Sequence, residues 1–143
     1  MLSVGLCHRL LVQQQRSETM TDMSHDQLVW VEMPATDLNR AKAFYESVLE
    51  TSLIENSDGP QKMHMIPSKG DSMCGHLYEG KPATSGDGPT PHFSTKSELA
   101  DAMERVKAAG GEVVSEPIPL PAAAFFYAKD TEGNSIAIFK YND

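Results

Sequence analysis

The sequence predicts an α+β domain built from two βαβββ modules. Three observations carry this. Two apolar stripes at helical spacing superpose, Leu38 on Leu99, Ala41 on Ala102, Tyr45 on Val106 and Val48 on Ala109, each pair 61 positions apart. Each stripe follows a short apolar strand pattern and precedes several weaker ones. The stretch between them, Glu79 to Gly88, is rich in Gly, Pro, Ser and Lys, as a module boundary should be. One such unit leaves a sheet face and an edge uncovered, so a second unit must pack beside it.

The first module opens on Leu28-Val29-Trp30-Val31-Glu32-Met33, which reads as a strand ended by Pro34. Thr36 or Asp37 can cap the following helix, because their side-chain oxygens accept from free N–H groups of the first turn. Leu38, Ala41, Phe44, Tyr45, Val48 and Leu49 form the apolar side of that helix. Leu53-Ile54 starts a short strand. After the polar turn Asn56 to Pro60, His64-Met65-Ile66 and Met73 to Tyr78 read as further strands. His64, a polar residue between two methionines, is placed on the solvated face. Met63, Met65 and Met73 are placed in core gaps, being flexible and apolar.

The second module opens on the short strand Thr90 to Ser94. Thr95-Lys96-Ser97-Glu98 has capping-box spacing, in which Thr95 and Glu98 satisfy each other's backbone donors. Leu99, Ala102, Met103, Val106 and Ala109 make the helix stripe, and Gly110-Gly111 stops it. The run Glu98, Asp101, Glu104, Arg105 and Lys107 reads as a solvated helix face with local ion pairs. Val113-Val114 is a strand, and Pro117, Pro119 and Pro121 punctuate a loop. Phe125 to Ala128 and Ser135 to Tyr141 form a closing hairpin around Asp130-Thr131-Glu132-Gly133-Asn134, with Gly133 at the tight point. The expected division is a disordered or over-annotated head at 1–25 and one domain at 26–143. Within it, module one covers 26–79, a linker 80–88 and module two 89–143.

At 143 residues the chain is long enough for one domain with a real core. Its net charge of −8 excludes non-specific nucleic-acid binding, which needs a basic face. No apolar run approaches the ~20 residues of a membrane-spanning helix. The cysteines, Cys7 and Cys74, form no CxxC motif and read as reduced thiols of a cytoplasmic protein. There is no GxGxxG, Walker loop or zinc-finger spacing.

Val29-Trp30-Val31-Glu32-Met33-Pro34 followed by Asp37-Leu38-Asn39-Arg40-Ala41-Lys42-Ala43-Phe44-Tyr45 resembles the vicinal oxygen chelate superfamily. That superfamily includes glyoxalase I, the bleomycin-resistance proteins and extradiol dioxygenases. Val106 to Gly111 and the Asp130 to Asn134 turn extend the resemblance over nearly everything after residue 26. It implies paired βαβββ modules whose curved mixed sheets enclose an open cup for a ligand, and a homodimer. It does not fix a reaction, since members include isomerases, dioxygenases, transferases and non-catalytic binders.

Side chains on a strand alternate faces. Trp30 and Glu32 therefore look toward the cup, while Val29, Val31 and Met33 face the helix. Ser135, Ala137, Phe139 and Tyr141 share the cup side of the last strand, and Thr90, His92 and Ser94 share one face of the first strand of module two. Metal-dependent relatives carry His, Glu or Gln at four cup positions. In this chain they fall at Trp30, at Gly75 or His76, at Thr90 and at Ala137. Neither Trp nor Ala can bind a divalent cation, and a Thr hydroxyl is a poor substitute for imidazole or carboxylate.

Two functional expectations follow. The first is a binding protein without metal or other cofactor. Its cup would be lined by Trp30, Glu32, His76, Thr90, His92, Phe139 and Tyr141, with Tyr127 as a further aromatic candidate. The second is a lyase or isomerase of the lactoylglutathione-lyase type. There Glu32 and His92 would act as acid and base, or Glu32 as base with His76 and His92 as shifted ligands of a divalent metal. Neither needs a nucleic-acid or membrane partner.

Overall fold

The computed structural model describes residues 30–83 and 88–142. The expected head at 1–25, residues 28 and 29 of the expected first strand, Cys7, and part of the linker lie outside them.

The first half runs β1 (Val31–Ala35), α1 (Leu38–Leu49), β2 (Ile54–Asn56), β3 (Met63–Pro67) and β4 (Met73–Glu79). The second runs β5 (His92–Ser94), α2 (Leu99–Ala108), β6 (Glu112–Val113), β7 (Ile118–Leu120), β8 (Ala123–Lys129) and β9 (Ser135–Tyr141). The strands form two mixed sheets of the same design. One has the order β1-β4-β3-β2, the other β5-β9-β8-β6, with β7 added along β8. β1 runs parallel to β4 and β5 parallel to β9. The remaining pairings are antiparallel. The α+β architecture of repeated βαβββ pattern is thus present, with one extra strand in the second half.

Three local expectations change. Pro34 does not end β1 but lies inside it, because among the described residues β1 pairs only with β4 and a proline on an edge strand forfeits no ladder bond. Pro119 likewise sits in β7, an edge strand on β8, where a loop was expected. The capping box does not form. Thr95 accepts from the Ser97 N–H, Glu98 itself occupies the N-cap without a side-chain cap bond, and its carboxylate takes Lys140 at 3.0 Å. The first helix starts as expected, with Asp37 accepting from the Arg40 N–H.

One core joins both halves. Met33, Ala35, Ile66 and Leu77 from the first sheet, Phe126, Ile136 and Ile138 from the second, and the stripes of α1 and α2 form a single cluster. Tyr45 packs edge-on to Phe44 and tilts onto Phe93 across the two halves. Since the helix-side faces of both sheets share this core, their opposite faces turn outward.

β3 is flipped relative to expectation. His64 and Ile66 point into the core side, and Met63 and Met65 are half-buried on the outward face. Met73 is also only half-buried. His64 is 1% exposed, and among the described residues neither ring nitrogen has a hydrogen-bond partner. Burial pushes its pKa down, aided by Lys62 and Lys42 and opposed by Glu55 and Glu46. In the unfolded chain this histidine takes up a proton near pH 6.5. Its contribution to stability is therefore complete above that pH and falls as pH drops below it. A buried unpaired polar group costs about 1–3 kcal/mol. His64→Leu, similar in volume, is expected to raise stability by about 1–2 kcal/mol and to flatten the loss between pH 7 and 5.5. Urea unfolding across that range checks this; a less stable variant with an unchanged pH slope would refute it.

Candidate functional site

The outward face of the first sheet holds Trp30, Glu32 and His76. Register settles which residue of β4 belongs there. Glu32 lies opposite His76 and Val31 opposite Gly75, so His76 shares the face of Glu32 while Gly75 faces the helix. Gly75 is needed there, because a Cβ at that position would stand 2.3 Å from the Val31 carbonyl oxygen. The Trp30 indole Nε1–H donates to His76 Nδ1 at 3.0 Å, and His76 Nε2 lies 3.8 Å from Glu32 Oε1. Met65 sits opposite His76 across β3, and the Tyr78 ring lies 6.0 Å from it. Trp30 is 39% exposed.

The outward face of the second sheet is aromatic. His92, Ala137 and Tyr127 form one row across β5, β9 and β8, and Phe139 stands opposite Phe125 in the next. His92 lies 5.2 Å from Phe125, 6.1 Å from Tyr127 and 6.2 Å from Phe139. Tyr141 meets Phe139 edge-on at 4.9 Å and is 67% exposed. Such edge-to-face contacts suit the ring quadrupoles and hold the cluster as a unit. Ala137 is fully covered rather than open on the cup side, because it is the smallest member of a row whose other members are rings. Thr90 pairs through its hydroxyl with Ser135 at 2.7 Å.

The residues expected in one constellation therefore divide between two faces. Glu32 and His76 come together, with Trp30 on the histidine. His92, Phe139 and Tyr141 come together elsewhere, with Thr90 beside Ser135. Phe125 was not anticipated as a site residue. Its signal was the period-two relation to Tyr127 on β8.

The four positions at which metal-dependent relatives carry ligands can be tested against these contacts. Trp30 is a donor only, His76 Nδ1 is already an acceptor for it, Thr90 is bonded to Ser135, and Ala137 has no donor atom. Among the described residues no three His, Cys, Asp or Glu side chains converge on a point. This set does not fit a divalent cation.

The two halves are clamped where the β8–β9 turn meets the start of α1. Glu132 Oε1 accepts from Thr36 Oγ1 and the Asp37 N–H, both at 2.8 Å, and the Arg40 guanidinium binds both carboxylate oxygens, at 2.8 and 3.0 Å. Asp130 accepts from the Tyr45 hydroxyl at 2.6 Å and from the Glu132 and Asn134 N–H groups. Asn134 Nδ2 bridges Asp130 to the Pro34 carbonyl. Gly133 takes φ 88° at the tight point, a conformation open to glycine at little cost.

Residues 27–138 match the Glyoxalase/Bleomycin resistance protein/Dioxygenase superfamily. A glyoxylase-like domain-containing protein of Didymella fabae is 29% identical over 121 residues, 80% of this chain and 93% of that protein. A glyoxalase/bleomycin resistance protein from Albidiferax ferrireducens superposes with a TM-score of 0.62 at 24% identity, covering 80% of this chain and 99% of the other. A genomically encoded fosfomycin resistance protein from Listeria monocytogenes gives 0.61 at 20% identity, covering 82% and 95%. Likeness at that identity speaks to the fold alone, which agrees with the strand order described above. The chain belongs to the glyoxalase/bleomycin resistance protein/dioxygenase superfamily.

Proposed function

We propose that the protein binds a small organic molecule without a metal, in a cup completed by a second copy of the chain. The observation that carries this reading is the contiguous aromatic face of His92, Phe125, Tyr127, Phe139 and Tyr141. His92, Tyr127 and Tyr141 are exposed on it above the buried Phe125, and exposed aromatic surface of this kind marks an interaction site. Small-molecule pockets are apolar clefts with a few polar groups, and Glu32, His76 and the Thr90–Ser135 pair would supply these. Trp30 and Glu32 on one face and His92, Tyr127 and Tyr141 on the other are exposed in one chain, and a partner copy would furnish the missing wall. The half-buried Cys74, whose thiol burial makes less acidic, suits a reducing, cytoplasmic setting.

Native mass spectrometry of protein purified without chelator tests this. A dimer carrying an organic adduct, released by Tyr127→Ala with at least tenfold loss of occupancy, is expected. Stoichiometric divalent metal lost on His76→Ala or His92→Ala would overturn it.

A second reading is favoured by one distance, the 3.8 Å between His76 Nε2 and Glu32 Oε1. A carboxylate beside an imidazole can move a proton next to a carbonyl, as a lyase or isomerase requires. Turnover of a glutathione hemithioacetal that is lost in Glu32→Gln would establish it; no turnover by the wild type would dismiss it.

A further inference from the structure

An indole N–H can only donate. The Trp30 bond to His76 Nδ1 therefore requires a lone pair on Nδ1 and places the proton of the neutral imidazole on Nε2. The two rings are tilted by 54° with centroids 5.7 Å apart, so the contact runs through the N–H and not through stacked faces. Nε2–H then looks toward Glu32, whose Oε1 at 3.8 Å is beyond direct hydrogen-bond reach. A donor and a charged acceptor stand side by side on the outward face, and neither satisfies the other.

We propose that Trp30 is a positioning residue that holds His76 as a donor, and that His76 and Glu32 together recognise a hydroxyl group. A hydroxyl oxygen accepts from Nε2–H while its hydrogen goes to the carboxylate. A carboxylate or phosphate would meet the Glu32 charge, and an ammonium would meet another N–H. The position that holds a metal ligand in metal-dependent relatives is here turned into a lock on a histidine tautomer. This rests on the ligand-binding reading above and names the chemistry of its polar end: an alcohol, phenol or enol.

Long-range proton–nitrogen NMR of protein labelled with 15N-histidine reads the tautomer directly, with His76 assigned from His76→Gln. The wild type is expected to show Nε2–H, and Trp30→Phe, which keeps a ring but loses the donor, a mixture of both tautomers with an otherwise unchanged amide fingerprint. 2-Naphthol is expected to shift the His76 signals and to bind about tenfold or more tighter than 2-methoxynaphthalene, because a site built to hydrogen-bond a hydroxyl rejects the analogue that cannot donate. That preference is expected to vanish in Glu32→Ala. A wild-type Nδ1–H tautomer, or an unchanged tautomer in Trp30→Phe, overturns the positioning role. Equal binding of the two probes overturns hydroxyl recognition and leaves ligand binding intact. Binding of neither probe also overturns it. If the protein in addition leaves purification without a ligand, the ligand-binding reading falls as well.

Discussion

Glu132→Ala is expected to cost about 3 kcal/mol and to lower the thermal midpoint by roughly 10 °C. The carboxylate side chain is fully shielded from solvent, while its Arg40 partner is half exposed. Burial alone would raise its pKa. Hydrogen bonds from Arg40, the Asp37 N–H and the Thr36 hydroxyl outweigh that and hold it at about 2. A depression of that size from the ordinary value is worth roughly 3 kcal/mol. The carboxylate also sits at the positive end of the α1 dipole, where a negative charge is favoured. For a domain whose whole stability is ~5–15 kcal/mol, this one residue is a large share of it, added to the core that both halves already hold in common.

The sign of its pH dependence follows from the same shift. The folded value lies below the unfolded one, so the contribution is complete above about pH 4.5 and is lost as pH falls toward 2. Glu132→Gln keeps the shape and removes the charge. It is expected to be less stable than the wild type at pH 7 by about 2–3 kcal/mol and to converge with it as pH approaches 2. Denaturant unfolding at pH 7, 4 and 2.5 distinguishes the cases. A glutamine variant within 0.5 kcal/mol of the wild type at pH 7 would remove Glu132 from the clamp.

The Asp130 to Asn134 stretch shows what the sequence reveals and what it does not. Its turn and its glycine were legible, because turn chemistry is local. That Glu132 and Asp130 reach back to Thr36, Arg40 and Tyr45 was not, since nothing in a separation of more than 80 residues signals contact. Strand alternation placed Trp30 and Glu32 correctly on one face, and the register of β1 on β4 then chose His76 over Gly75. Alternation failed in β3, where Met-His-Met-Ile-Pro offers little contrast of polarity, and the core took the histidine. Glu32 and His92 stand on different sheets, and their relation depends on how the sheets pack. Each sheet turns its helix-covered face to the shared core, and no strand pattern encodes which way two sheets face.

The companion prediction concerns Asp130. It is buried and accepts from the Tyr45 hydroxyl, itself in the centre of the core, and from backbone and side-chain N–H groups of the turn. Burial, then the Asp130 charge, push the Tyr45 pKa well above its ordinary value, so the phenol stays a donor at any working pH. Asp130→Ala strands that donor in an apolar surrounding and frees the turn that delivers Glu132, so a loss of about 3–5 kcal/mol is expected. Tyr45→Phe removes donor and demand together on its own side and is expected to cost less, about 1–2 kcal/mol. The double variant separates bond from turn. If the Tyr45 bond dominates, Tyr45→Phe with Asp130→Ala costs little more than Asp130→Ala alone. If the turn dominates, the two losses add to within about 0.5 kcal/mol. Because Asp130 organises the backbone that carries Glu132, Asp130→Ala is also expected to abolish most of the acid-side loss of stability assigned to Glu132. An Asp130→Ala protein that keeps that loss undiminished would show that the two halves of the clamp act independently.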